Sequence, residues 1–149
     1  MKSASLPILL IACATVLPAC GGDDTADGTN AASGASSSGG DNSQANGCTA
    51  FTAGTDVSFT FTQYTPACIK VAKGGTVTFK GAMASDTFAV HPLQGGAATE
   101  TMGTPDDSSP IGHVTAGTEK AITFPTAGTF GFYCTAHVSV GMRGAVQVE

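Results

Sequence analysis

The sequence predicts an all-β fold, a two-sheet sandwich of seven or eight short strands in one domain that begins at Cys48. Three observations predict it. Beyond residue 55, apolar and polar residues alternate with period two in one run after another, which is the pattern of half-buried strands. Short turn signals separate the runs, among them Lys73-Gly74-Gly75, Ala116-Gly117-Thr118 and Pro125-Thr126-Ala127-Gly128. Charged residues are only 11% of the 149, Gly numbers 20 and Trp is absent, a composition for a Gly/Thr/Val-rich β protein and not for a helical one.

Taken in order, the chain opens on an address. Met1-Lys2-Ser3 carries a positive charge, and residues 6–19 are apolar apart from Thr15. That run is too short to span a bilayer and has the layout of a signal peptide. Leu17-Pro18-Ala19-Cys20 resembles a bacterial lipoprotein cleavage box, although Pro18 is unusual there. Leu10-Ile11-Ala12-Cys13 fits the box better locally but leaves a very short apolar core before it. The expectation is a signal peptide over 1–19 and a lipid on Cys20. The protein would then be anchored to a bacterial membrane on its periplasmic or cell-surface side. An ordinary secreted protein cut after a small residue is the alternative.

Residues 21–47 are low in complexity, with Gly, Ser, Ala, Asn, Asp and Thr and no aromatic or branched aliphatic side chain. Such a run cannot bury enough apolar surface to offset its ordering entropy. With Cys20 it reads as a tether over 20–47, its root-mean-square span roughly 30 Å.

The folded domain is expected over 48–149. Val57, Phe59 and Phe61 alternate with Ser58, Thr60 and Thr62; Ile69 and Val71 with Lys70 and Ala72; Val77 and Phe79 with Thr78 and Lys80. Phe88 and Val90 follow, in a strand expected to end at His91. Then come Ile122 and Phe124; Phe130, Phe132 and Cys134; and Val146 and Val148. The eight Phe all lie beyond residue 50 and are expected to fill the space between sheets. Residues 92–111 break the pattern with prolines, glycines and Asp106-Asp107-Ser108-Ser109. They are expected to form a long irregular excursion, with a helical turn near 97–102.

The stretch that carries chemistry is Tyr133-Cys134-Thr135-Ala136-His137-Val138-Ser139-Val140-Gly141-Met142. It sets a thiol, an imidazole and a thioether at spacing C-x2-H-x4-M. One Cys, two His and a long axial Met are the donors of a blue-copper electron-transfer site. The second His is taken to be His91, at a strand end. His113, in an apparent connection, is the rival. Met83 and Met102 could stand in for Met142 but share no loop with Cys134. Val138, Val140 and Leu93 could form an apolar patch around His137. The five cysteines close as a set if Cys13 is removed, Cys20 lipidated, Cys48 paired with Cys68 and Cys134 bound to metal. Closing a loop of that length contributes about 3 kcal/mol on chain-entropy grounds.

Gly128-Thr129-Phe130-Gly131-Phe132-Tyr133-Cys134-Thr135-Ala136-His137, with Met142-Arg143-Gly144-Ala145-Val146-Gln147-Val148, resembles the C-terminal signature of cupredoxins. Val71-Ala72-Lys73-Gly74-Gly75-Thr76-Val77-Thr78-Phe79 resembles the same family, so the likeness covers roughly 55–149. The ligand spacing is similar to plastocyanin and pseudoazurin and shorter than in azurin. The resemblance implies a Greek-key sandwich, one type 1 copper per chain and His91, Cys134, His137 and Met142 as its ligands. A Cys48–Cys68 bridge would be similar to the N-terminal disulfide of azurins. One departure is Pro92, where plastocyanin-like proteins have Asn after the upstream His. Pro has no N–H to offer the thiolate, so a lowered reduction potential is expected.

These residues point to single-electron transfer by a monomer whose redox partners approach near His137, and not to an enzyme. Four protein ligands leave no open position for substrate, and three His in the chain are too few for a multicopper oxidase. Copper storage, delivery or resistance on the same ligands is the alternative; a module that has lost its metal and a reductase domain with a further copper site are weaker ones. A net charge of −5 argues against nucleic-acid binding.

Overall fold

Period-two alternation becomes eleven strands in two sheets. In the computed structural model the described residues are 46–149. The expected signal peptide over 1–19, the expected lipid on Cys20 and the expected tether up to residue 45 lie outside them. In order the strands are β1 (Thr52–Ala53), β2 (Asp56–Phe59), β3 (Tyr64–Thr65), β4 (Cys68–Val71), β5 (Thr76–Gly81) and β6 (Leu93–Ala98). They continue with β7 (Gly103–Pro105), β8 (His113–Val114), β9 (Glu119–Thr123), β10 (Gly128–Cys134) and β11 (Arg143–Val148), and a 3-10 turn, Val138–Val140, lies between the last two. The count exceeds the expected seven or eight because β1, β3, β7 and β8 are pieces of two or three residues.

One sheet runs β1-β4-β11-β10-β6-β7, with β8 also paired to β6; the other runs β3-β2-β5-β9. Both are mixed: β4 is parallel to β1 and β11, and β2 is parallel to β5. Between the sheets lie Val57, Phe59, Val77, Phe79 and Ile122 from one side and Ile69, Leu93, Phe130, Phe132, Val146 and Val148 from the other. The rings lock the faces together edge to face, Phe79 on Phe132 at 5.0 Å and Tyr64 on Phe132 at 4.9 Å. Six of the eight Phe are buried as expected; Phe51 is half-buried and Phe61 is exposed. The expected disulfide joins Cys48 to Cys68.

Three expectations are corrected. Residues 88–91 are a turn, not a strand: the N–H groups of Val90 and His91 both bond the Thr87 carbonyl, Phe88 is buried and Val90 is exposed. The chain here passes from β5 in one sheet to β6 in the other, so no strand partner is at hand. The excursion over 92–111 holds no helical turn at 97–102; it contains β6, a central strand, and β7. Its glycines read as breakers, but a side chain at Gly95 would place Cβ 2.6 Å from Ser109 Oγ and 3.1 Å from Ile111 Cβ. Smallness there is what lets residues 109–111 close over the strand.

The third correction concerns Asn46, which composition assigns to the tether. Asn46 is buried. Its Nδ2 donates to the carbonyls of Gly144 (2.7 Å), Phe132 (3.1 Å) and Gly96 (3.3 Å), and its Oδ1 accepts the Ala98 N–H at 2.7 Å. Asn46, two residues before Cys48, is therefore part of the fold.

Candidate metal centre

The three strands that Asn46 ties together also carry the donors. β10 lies between β6 and β11, antiparallel to both, so its C-terminal end meets their N-terminal ends. Cys134 is the last residue of β10 and sits opposite Leu93, the first of β6. His91 is two residues before Leu93, and Met142 is the residue before β11. One edge of one sheet thus collects a thiol, an imidazole and a thioether. The loop 135–142 brings the fourth donor back over them. Its bonds fix its shape: Cys134 N–H to Met142 O, His137 N–H to Cys134 O, Met142 N–H to His137 O and Thr135 N–H to Pro92 O. Gly141 turns the chain with φ 90°, a conformation that a side chain would strain.

His91, Cys134 and His137 come together as expected, their ligand atoms within 4.8 Å of one another. The Nδ1 atoms of the two histidines are 3.2 Å apart, and Cys134 Sγ is 3.4 Å from His137 Nδ1. Cys134 and Met142 are wholly buried, His91 is 2% exposed and His137 is half-buried. His113 pairs with Gln94 in β8, is exposed and stands apart from this group. Met83 and Met102 are surface residues. Leu93 is core and no part of a patch around His137, whereas Val140 is exposed. The residue that the period-two pattern misplaces is Phe61. It lies against both histidine rings, 5.4 Å from His137 and 6.3 Å from His91, and not between the sheets.

Burial pushes the Cys134 thiol up, while the backbone N–H groups of Ala136 and His137 that face the sulfur pull it back. Burial, and next the neighbouring His137, hold His91 below the usual imidazole range, against Asp86, which raises it. His91 is thus neutral at pH 7, with a lone pair to give. The donor set fits copper: two imidazole nitrogens and a sulfur converge at a largely buried point, and a thioether ends the same loop. The Tyr64 hydroxyl is the one buried side-chain polar atom without a partner among the described residues. Burial, and then the nearby Cys134, push its ionisation well up, so it stays a neutral phenol.

Residues 51–149 match the family described as copper binding proteins, plastocyanin/azurin family. No curated protein gives a match. Among solved structures the chain is similar to an oxidised amicyanin variant, with 22% identity over 63% of this chain and 80% of that one and a TM-score of 0.43. It is similar to a reduced amicyanin variant at 24% identity and TM-score 0.42, with the same coverage.

Proposed function

The chain belongs to the plastocyanin/azurin family of copper-binding proteins, and from that premise we propose that it carries single electrons between redox proteins outside the cytoplasm. The family's members are electron carriers and not enzymes, and the cofactor is one type 1 copper. We assign its ligands as His91, Cys134, His137 and Met142. The observation that carries the reading is the convergence of His91, Cys134 and His137 within 4.8 Å beside the buried Met142. Copper held there supplies a one-electron couple between Cu(II) and Cu(I).

Cys134 provides the thiolate, and the amides of Ala136 and His137 stabilise its charge. His91 gives a neutral nitrogen from inside the fold. The hydrogen-bonded loop holds the donors in one arrangement, so little need move when an electron comes or goes. His137 is the ligand that faces solvent, since the other three are buried. An electron therefore enters and leaves by its ring. Beside it Phe61 and Val140 are exposed and uncharged, a rim that lets a partner come close without holding it.

Export and anchoring through Cys20 belong to the same proposal. They are supported by the signal-like run over 1–19 and by the Cys48–Cys68 disulfide, which suits an oxidising compartment. The test is a visible spectrum of the chain before and after Cu(II), beside Cys134→Ser and His91→Ala. The expected result is an intense blue band that ascorbate bleaches and both substitutions abolish. Stoichiometric copper without that band would replace electron transfer with copper handling. No copper binding would end both readings.

A further inference from the structure

Phe61 is out of place for a core residue. The series Val57, Phe59, Phe61 would turn it inward, yet β2 ends at Phe59 and Phe61 is 68% exposed. A phenylalanine left in water forgoes the burial its neighbours gain, so its position calls for a local cause. The ring lies 5.4 Å from the His137 ring, tilted by 48°, and edge-on to His91 at 6.3 Å. The two imidazoles are themselves 4.9 Å apart. No other Phe or Tyr ring reaches His137 among the described residues.

His137 needs support of this kind. Its backbone is fixed by the loop, but the turn that follows, Val138–Val140, buries none of its residues. The ring is half-buried, and its Nδ1 is committed to the Cys134 and His91 side. Phe61 is the side chain placed to limit how far that imidazole swings.

Resting on the electron-transfer reading, we infer that Phe61 is a positioning residue whose ring braces the His137 imidazole, and that it thereby sets both copper retention and reduction potential. A loosened imidazole costs Cu(II) more than the softer Cu(I), which relies more on the two sulfurs. Removing the brace therefore releases Cu(II) sooner and raises the potential.

The experiment uses the full chain with Phe61→Ala, Phe61→Leu and Phe61→Tyr. Copper release to excess EDTA is followed by loss of the blue band, and the potential is measured alongside. In the copper-free chain, NMR reads the carbon-bound ring protons of His137. Phe61→Ala stays blue but releases copper about three to ten times faster, the coupling of one aromatic pair. Its potential is higher, and its His137 ring signals move. Phe61→Tyr, which keeps the ring, returns all three to wild-type values, whereas Phe61→Leu does not restore the ring signals. A blue Phe61→Ala variant with wild-type release and potential overturns the inference alone, as does a tyrosine variant that behaves like alanine. A wild-type chain that never turns blue overturns the electron-transfer reading, and this inference with it.

Discussion

Burial of Cys134 sets a proton against the metal. The folded chain raises the thiol above its ordinary value, while in the unfolded chain it titrates near pH 8.5. Below that value both states are protonated and the stability term is unaffected. Above it the unfolded state sheds a proton that the folded state keeps, so the metal-free chain loses stability as pH rises. The slope is at most about 1.4 kcal/mol per pH unit. Urea midpoints at pH 7.5, 8.5 and 9.5 should fall in that order, and Cys134→Ser should flatten the series. Tyr64 and Tyr133 are raised as well and add the same sign above about pH 10, so the comparison belongs below that. Copper takes the thiolate, so loading the chain at pH 7 releases the Cys134 proton.

The same residue scale shows what a sequence discloses. Cys134, His137 and Met142 are legible because their spacing is local and their chemistry is rare. His91 is legible by elimination among three histidines and by resemblance to the family. Phe61 is not, because period two says which way a side chain faces but not where the strand stops. Asn46 is not, because its partners lie 50 to 98 residues away, beyond the reach of any window on composition.

At the scale of elements, Asn46 acts as a clamp on β6, β10 and β11, the strands that present the donors. Asn46→Ala removes one side chain and leaves the carbonyls of Gly96, Phe132 and Gly144 and the Ala98 N–H short of a partner. Denaturant unfolding should show a loss of about 2–4 kcal/mol, and a chain begun at Cys48 should show a similar loss against one begun at Asn46. An unchanged midpoint would mean that water replaces the amide at no cost. The same strands explain the misread excursion. Gly95 and its neighbours score as loop formers taken singly, but β6 is a strand because flanking strands and residues 109–111 leave room for nothing larger. Pro92 belongs here too. Its carbonyl holds Thr135, and the amides facing the sulfur come from Ala136 and His137. Pro92→Asn offers one more donor. It should raise the reduction potential by tens of millivolts, on the order of one hydrogen bond's worth; potentiometry that finds no rise or a fall would reject the idea.

At the scale of the whole molecule, most of the net charge lies away from the metal end, where Glu100 and Arg143, opposite in sign, flank Val140 and Asp86 is buried near His91. The chain's net charge is −5, yet Asp23, Asp24, Asp27 and Asp41 all precede Asn46. Within the domain, Lys80 pairs with Asp56 and Lys70 with Glu149. The Lys73 amide bonds the Glu149 carbonyl, so Lys73 and Glu149 lie together where β11 ends, away from the donors at its start. Next to His137, Phe61 and Val140 are exposed and apolar, and Thr135, Ala136 and Ser139 are exposed and uncharged. Two copies meeting ring to ring would therefore bring largely uncharged rims together, with the opposite charges of Glu100 and Arg143 offsetting each other at the margin. Electron self-exchange, read from NMR line widths of mixed Cu(I) and Cu(II) chains, should change by less than about threefold across a wide range of salt, where steered pairs change steeply. Val140→Asp tests the cause. It puts like charges into the encounter, so exchange should slow at low salt and recover as salt is added. A wild-type rate that already climbs or falls steeply with salt would mean that distant charges govern the approach and the apolar rim does not.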